Sequence, residues 1–193
     1  MVAGPPPVKL CTPEVLRCIR SVIRETHTPS WLRTVPSEFG SPRAGTLKAD
    51  EWRTMTTVYL PLALVSMWGE GTSHRSSSTA SRLRCILDHT MALVSAVRLA
   101  CSRSTTMTRA EAYRSYMATW VRQLQELHPD IKHRPNGHMS LHIYNFLVLF
   151  GPVRSWWCFP FERLIGQLQR LPSNHKFGKL IRCASYLLPL MLN

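Results

Sequence analysis

Apolar and aromatic side chains recur at three and four residues through Tyr113, Tyr116, Met117, Trp120, Val121, Leu124 and Leu127, and Pro129 follows. A helix puts that spacing on one face, because it turns once in 3.6 residues. Thr108 with Glu111 three residues later reads as a capping box at its start, and Pro129 as its stop. Upstream, Leu83, Ile86, Leu87, Met91, Val94, Val97 and Leu99 form a broad stripe on a second long helix, from about Thr79 to Cys101. The segment SRSTTM joins the two, so a helical hairpin is expected in the middle of the chain.

Proline and glycine divide the remainder. Residues 1–11 contain three consecutive prolines and read as a flexible arm. Thr12 caps a short helix with Pro13 in its first position, Glu14 near its positive end and Val15, Leu16, Ile19, Val22 and Ile23 at helical spacing. Pro29, Pro36, Pro42, Gly40 and Gly45 make the following stretch a linker, with Trp31, Leu32 and Phe39 pinned on a surface; helix and linker together occupy residues 12–45. A helical domain then fills residues 46–193, interrupted by a polar loop at 69–78 that is the expected site of disorder or nicking. In it, Asp50 caps a helix carrying Trp52, Met55, Val58, Tyr59 and Leu62, which Pro61 ends or kinks. The run HMSLHIYNFLVLF suits a buried helix or an extended strand by pattern, and its length favours the helix, which Gly151-Pro152 breaks. Pro160 opens a further helix with Phe161, Leu164, Ile165 and Leu168 on one face, closed by Pro172, and Phe177–Leu192 is helical until Pro189. The expected fold is mainly α, an irregular multi-helix bundle with an N-terminal arm and a proline-rich linker.

A chain of 193 residues that is 45% hydrophobic can bury a core, and its net charge of +13 makes an anionic partner, nucleic acid first, the leading expectation beside a plainly solvated basic surface. The six cysteines form no CxxC pair and read as reduced, mostly buried thiols of an intracellular protein. Val58–Trp68 is too short to span a bilayer and is broken by Pro61, so no membrane partner is expected.

Residues 136–178 concentrate the chemistry. His138 and His142, four apart, share a helix face and offer two imidazoles to a metal, with Cys158 as a distant third ligand; satisfied structural histidines are the plainer reading. Arg154, Trp156, Trp157, Arg163, Arg170, Lys176 and Lys179 interleave cations with aromatic rings, a composition suited to phosphate contact and base stacking; the alternative makes both tryptophans core anchors. Glu162 is the only carboxylate of the stretch, a surface acid or a metal ligand. Neither a GxSxG elbow nor a GxxxxGKS phosphate loop occurs.

The strings GTLKADEWRTMTTVYLPLALVSMWG, ILDHTMALVSAVRLAC, RAEAYRSYMATWVRQLQELHP and HMSLHIYNFLVLFGPVRSWWCFPFERLIGQLQRLPSNHKFG resemble the C-terminal region of the transposases of CACTA (En/Spm)-type DNA transposons, above all copies from mushroom-forming fungi. The resemblance covers residues 12–178. Its most specific marks fall on His138 and His142, on Gly151-Pro152-Val153, on Trp156 and Trp157, and on Pro160-Phe161-Glu162-Arg163.

It implies a nuclear, transposase-derived polypeptide whose parent family uses three carboxylates and two divalent ions, magnesium or manganese, on an RNase H-like core. Glu162 takes the place of the third carboxylate and of a metal ligand; the first two aspartates belong upstream of this sequence, and neither Asp50 nor Asp88 carries a motif for the role. The apolar end KLIRCASYLLPLMLN departs from the pattern and reads as a truncated copy. The chain is therefore expected to perform no strand transfer alone, to hold no cofactor of its own, and to bind DNA nonspecifically. The alternative is a helical interaction module that packs on a missing catalytic domain or on itself.

Overall fold

The computed structural model describes residues 12–72, 77–128, 131 and 134–169, except the side chain of Arg163. These residues are mainly helical and include no strand. The helices are α1 (Pro13–Glu25), α2 (Ala49–Thr54), α3 (Leu60–Trp68), α4 (Ser77–Ala100), α5 (Met107–Leu127), α6 (Pro135–Phe150) and α7 (Phe159–Leu168). The arm at 1–11 and the segment Phe177–Leu192 lie outside the described residues, as do Pro172 and residues 73–76 of the polar loop. The chain divides after Trp156 into a first unit that contains α1 to α6 and a second that contains α7.

Local chemistry explains where α1 starts: the Thr12 hydroxyl accepts from the Val15 amide at 3.3 Å, and Pro13 follows in the first turn. Val15, Ile19 and Ile23 are buried, one turn apart. The linker closes over this helix. Val35 is buried, Phe39 meets Trp52 edge-on with ring centroids 6.1 Å apart, and the Arg20 Nε donates to the Phe39 carbonyl at 2.9 Å. Gly40 has φ +77°, a conformation that side chains rarely adopt, and a Cβ there would lie 3.0 Å from Leu16. Trp31 departs from the expected pinning: it is 81% exposed, because the turn at Pro29–Leu32 points it away from the core that Val35 enters.

Lys48, not Asp50, occupies the cap of α2. The Glu51 carboxylate accepts from the Lys48 amide at 2.9 Å, and Asp50 sits one residue inside the helix, where it holds Arg53 at 2.6 Å. The helix then widens into a π turn at Met55–Tyr59, with the Leu60 amide bonded to the Met55 carbonyl five residues back. Pro61, which lacks an amide hydrogen, follows at once, so the helical path passes the proline through a widened turn rather than stopping. Met55, Tyr59, Ala63, Leu64 and Trp68 remain buried across this change of pitch and join α1, Ile86 and Leu87 in one core.

A second core forms farther along α4. Ala96 and Ala100 face Ala110, Tyr113 and Met117 of α5, and Leu147 of α6 completes the group. The alanines let the hairpin helices approach closely, so packing density comes from backbone as much as side chains. The capping residue of α5 is Thr106, whose hydroxyl accepts from the Arg109 amide at 3.2 Å; the Thr108–Glu111 box therefore does not form, since Thr108 is already inside the helix. α6 is a helix as its length suggested, and Gly151, at φ +77°, ends it before Pro152. The cysteines are less buried than expected: Cys85 and Cys158 are exposed, Cys18 and Cys101 are partly buried, and all four are free thiols.

One polar bond ties α6 to the hairpin. The buried Tyr113 hydroxyl donates to the Ser140 carbonyl at 2.7 Å, and burial pushes this phenol well above its ordinary pKa. Tyr113→Phe is expected to lower stability by about 1 kcal/mol, read as a lower urea midpoint, by removing this buried bond, although the Ser140 carbonyl keeps its place in the α6 ladder. Tyr116→Phe, on the exposed side of the same helix, should change it by less than about 0.5 kcal/mol.

Candidate anion-binding site

The end of the α4–α5 hairpin is basic for a local reason. From His89 to Ala110 the sequence contains Arg98, Arg103 and Arg109 and no acid. All three arginines are exposed, on the last turn of α4, the connection and the first turn of α5. α2 and the π turn pack against this end, and together they form a pocket of about 560 Å³ lined by Arg53, Thr57, Val58, Arg98, Leu99, Cys101, Ser102 and Arg109.

The hydrogen-bond state of the lining decides what the pocket presents. Thr57 Oγ1 donates to the Arg53 carbonyl at 2.8 Å and Ser102 Oγ to the Arg98 carbonyl at 2.9 Å, so both hydroxyl protons are used within the helices. The guanidiniums are the remaining strong donors. Arg53 is gripped by one oxygen of Asp50 through Nε at 3.0 Å and Nη2 at 2.6 Å. Arg109 is steadied through Nη1, which donates to the Ser104 carbonyl at 3.0 Å and hydroxyl at 2.8 Å. Burial pushes the Cys101 thiol up, and this outweighs the opposing pull of Arg53 and Arg154, so the thiol is neutral at pH 7 and leaves the arginine charge uncompensated.

The residues singled out from sequence fall in several places. Arg154 lies on a short 3₁₀ turn, Val153–Ser155, near enough to Cys101 to influence its thiol. Trp156 is half-buried, donates its indole N–H to the Gly151 carbonyl at 3.2 Å and meets Phe146 edge-on at 5.8 Å. Trp157 belongs to the second unit and packs on Phe159 with centroids 4.8 Å apart. Glu162 is exposed in the first turn of α7, its amide bonded to the Cys158 carbonyl at 2.9 Å. Arg170, Lys176 and Lys179 lie outside the described residues, as does the Arg163 side chain.

His138 and His142 do meet on the exposed side of α6, their Nε2 atoms 3.2 Å apart, one donating and the other accepting. The pair offers two metal ligands, and among the described residues no His, Cys, Asp or Glu cluster of three or more is present. Arg53, Arg98 and Arg109 were not singled out from sequence; the acid-free run between His89 and Ala110 was the available signal for two of them. Comparison of the chain with protein-family models, curated proteins and solved structures finds no match.

A buried histidine lies outside these groups. His89 Nε2 is 2.9 Å from the Trp120 carbonyl, its ring stacks on the Trp120 indole at 5.7 Å, and His128 lies 6.1 Å away. Burial first, then the His128 charge, lowers its pKa against the opposing carbonyl bond, so the imidazole is neutral and donates that hydrogen bond. The unfolded imidazole takes a proton near 6.5 and the folded one only below it. Its contribution is therefore complete above about pH 6.5 and is lost as the pH falls from there through the folded value. Urea unfolding measured from pH 7.5 down to 5 should show this decline, and His89→Gln should show a flatter one.

Proposed function

We propose that the chain is a helical nucleic-acid-binding remnant of a CACTA-type DNA transposase, nuclear in its setting, that binds through phosphate contacts and performs no strand transfer alone. The observation that carries the binding is the acid-free, arginine-bearing end of the α4–α5 hairpin, with Arg98, Arg103 and Arg109 exposed together. Guanidiniums suit phosphate oxygens through parallel N–H donors, and a net charge of +13 draws a polyanion from a distance. Arg154 and the cations after Glu162 extend the same chemistry. The transposase origin rests on the Gly-Pro-Val and Pro-Phe-Glu-Arg marks. Glu162 is then the inherited third carboxylate, whose magnesium or manganese chemistry would require partner acids from a catalytic domain.

A second reading has its own observation. The C-terminal half of α6 exposes Phe146, Val148, Leu149 and Phe150, more contiguous apolar surface than a solvated helix end needs. A helical module that packs on a catalytic domain or on a second copy would cover it.

Fluorescence-anisotropy titrations with duplex and single-stranded DNA separate the two. Nucleic-acid binding predicts association whose log affinity falls linearly with log salt, with a slope of about −2 to −4 for a few neutralised phosphates. Absence of salt-dependent association at low ionic strength removes it, and concentration-dependent oligomers in size-exclusion runs would then favour the packing module.

A further inference from the structure

The pocket at the hairpin end has features that a merely basic surface lacks. Its cations come from three separate segments: Arg53 from α2, Arg98 from the last turn of α4 and Arg109 from the first turn of α5. They surround a recess with Val58 and Leu99 in its wall, and no carboxylate is among its lining residues. Arg53 is balanced by Asp50, whereas Arg98 and Arg109 make no ion pair among the described residues. The net charge offered to a ligand is therefore close to two positive charges, and Arg109 is already oriented by Ser104.

We infer that this pocket is a binding site for a phosphate monoester dianion. A monoester carries close to two negative charges at pH 7 and three unesterified oxygens, which matches two uncompensated guanidiniums that each present parallel N–H donors. A phosphodiester is a poorer match: it carries one charge and must leave the recess through both ester oxygens. The depression is open to solvent, so a group esterified to the phosphate can extend from it without a clash. Two sources share this chemistry, a free phosphate compound and the 5′-phosphorylated end of a nucleic acid strand. The site does not depend on salt-driven duplex binding and stands or falls separately from it.

Isothermal titration of the full chain with inorganic pyrophosphate and orthophosphate tests the site. Saturable binding is expected, weakened about tenfold by Arg98→Gln and by Arg109→Gln, as suits the loss of charge-assisted hydrogen bonds. Arg122→Gln, on an exposed position of α5 about 20 Å along the helix from Arg109, should leave binding within about twofold. Circular dichroism confirms that each variant is folded, and Arg98→Lys, which keeps the charge, should bind between the wild type and Arg98→Gln.

A second arm compares a short single strand with and without a 5′ phosphate. Tighter binding of the phosphorylated strand, competed by pyrophosphate and lost in Arg98→Gln, assigns the strand end as the source. Equal binding of the two strands alongside saturable pyrophosphate assigns free phosphate compounds. No saturable binding of pyrophosphate or orthophosphate, or equal weakening by Arg122→Gln, overturns the inference whatever the duplex titrations show.

Discussion

The fold of the first unit depends on one helix serving two cores. α4 gives Ile86 and Leu87 to the group built with α1, the π turn and α3, and Ala96 and Ala100 to the group built with α5 and α6. At 24 residues it is the longest of the described helices, about 36 Å from end to end. Its buried residues change along that length, from Ile86 and Leu87 in the first core to Ala96 and Ala100 in the second. His89 and Val94, both buried, occupy the stretch between, and the polar bond from His89 to the Trp120 carbonyl adds a tie beside the second core, against which Trp120 packs. A helix shared in this way couples the two halves mechanically, because neither core can loosen without disturbing one end of α4.

The same arrangement produces the pocket. The connection between α4 and α5 is short, so Arg98 on the last turn of one helix and Arg109 on the first turn of the other come to the same end of the hairpin. Arg53 reaches the place from the other core's side, held by Asp50. The pocket thus gathers side chains that no single element could present together, which is the common situation of a ligand site built where packed elements end. The exposed apolar end of α6 belongs to the same unit and is chemically opposite to the charged pocket.

Helix existence was legible because the chain marks it twice, by periodicity and by proline or glycine at the ends. Thr12 with Pro13 before α1 and Gly151-Pro152 after α6 act on the backbone locally, and the structure bears out the helices they bound. The caps that were misread have different causes. Thr106 and Thr108 are equally good chemically, and the path of the incoming loop selects between them, whereas at α2 the Glu51 carboxylate satisfies the Lys48 amide and leaves Asp50, the better capping residue, inside the helix on Arg53. Trp31 was misread because an aromatic ring in a proline-rich segment carries no signal for which way the turn faces. The pocket was illegible for a different reason: Arg53 and Arg98 are separated by 45 positions, and their meeting follows from the packing of α2 against the hairpin rather than from any motif. Trp156, singled out for stacking on bases, spends its indole N–H and one ring edge inside its own unit.

The π turn at Met55–Tyr59 amounts to one residue too many for the helix that contains it. Before it, the buried phase is set by Thr54; after it, by Ala63, Leu64 and Trp68, and the two phases agree with a single core because the wider turn absorbs a surplus residue that would rotate the second by about 100° in a regular helix. Thr57 and Val58, inside the same turn, form part of the pocket wall. Removing one residue between Met55 and Tyr59 would close the helix to its regular pitch with both flanks still in phase, so Trp68 would stay in the core while the wall formed by Thr57 and Val58 contracted. The surplus residue is thus dispensable to the first core and matters to the pocket, so the two can be lost separately.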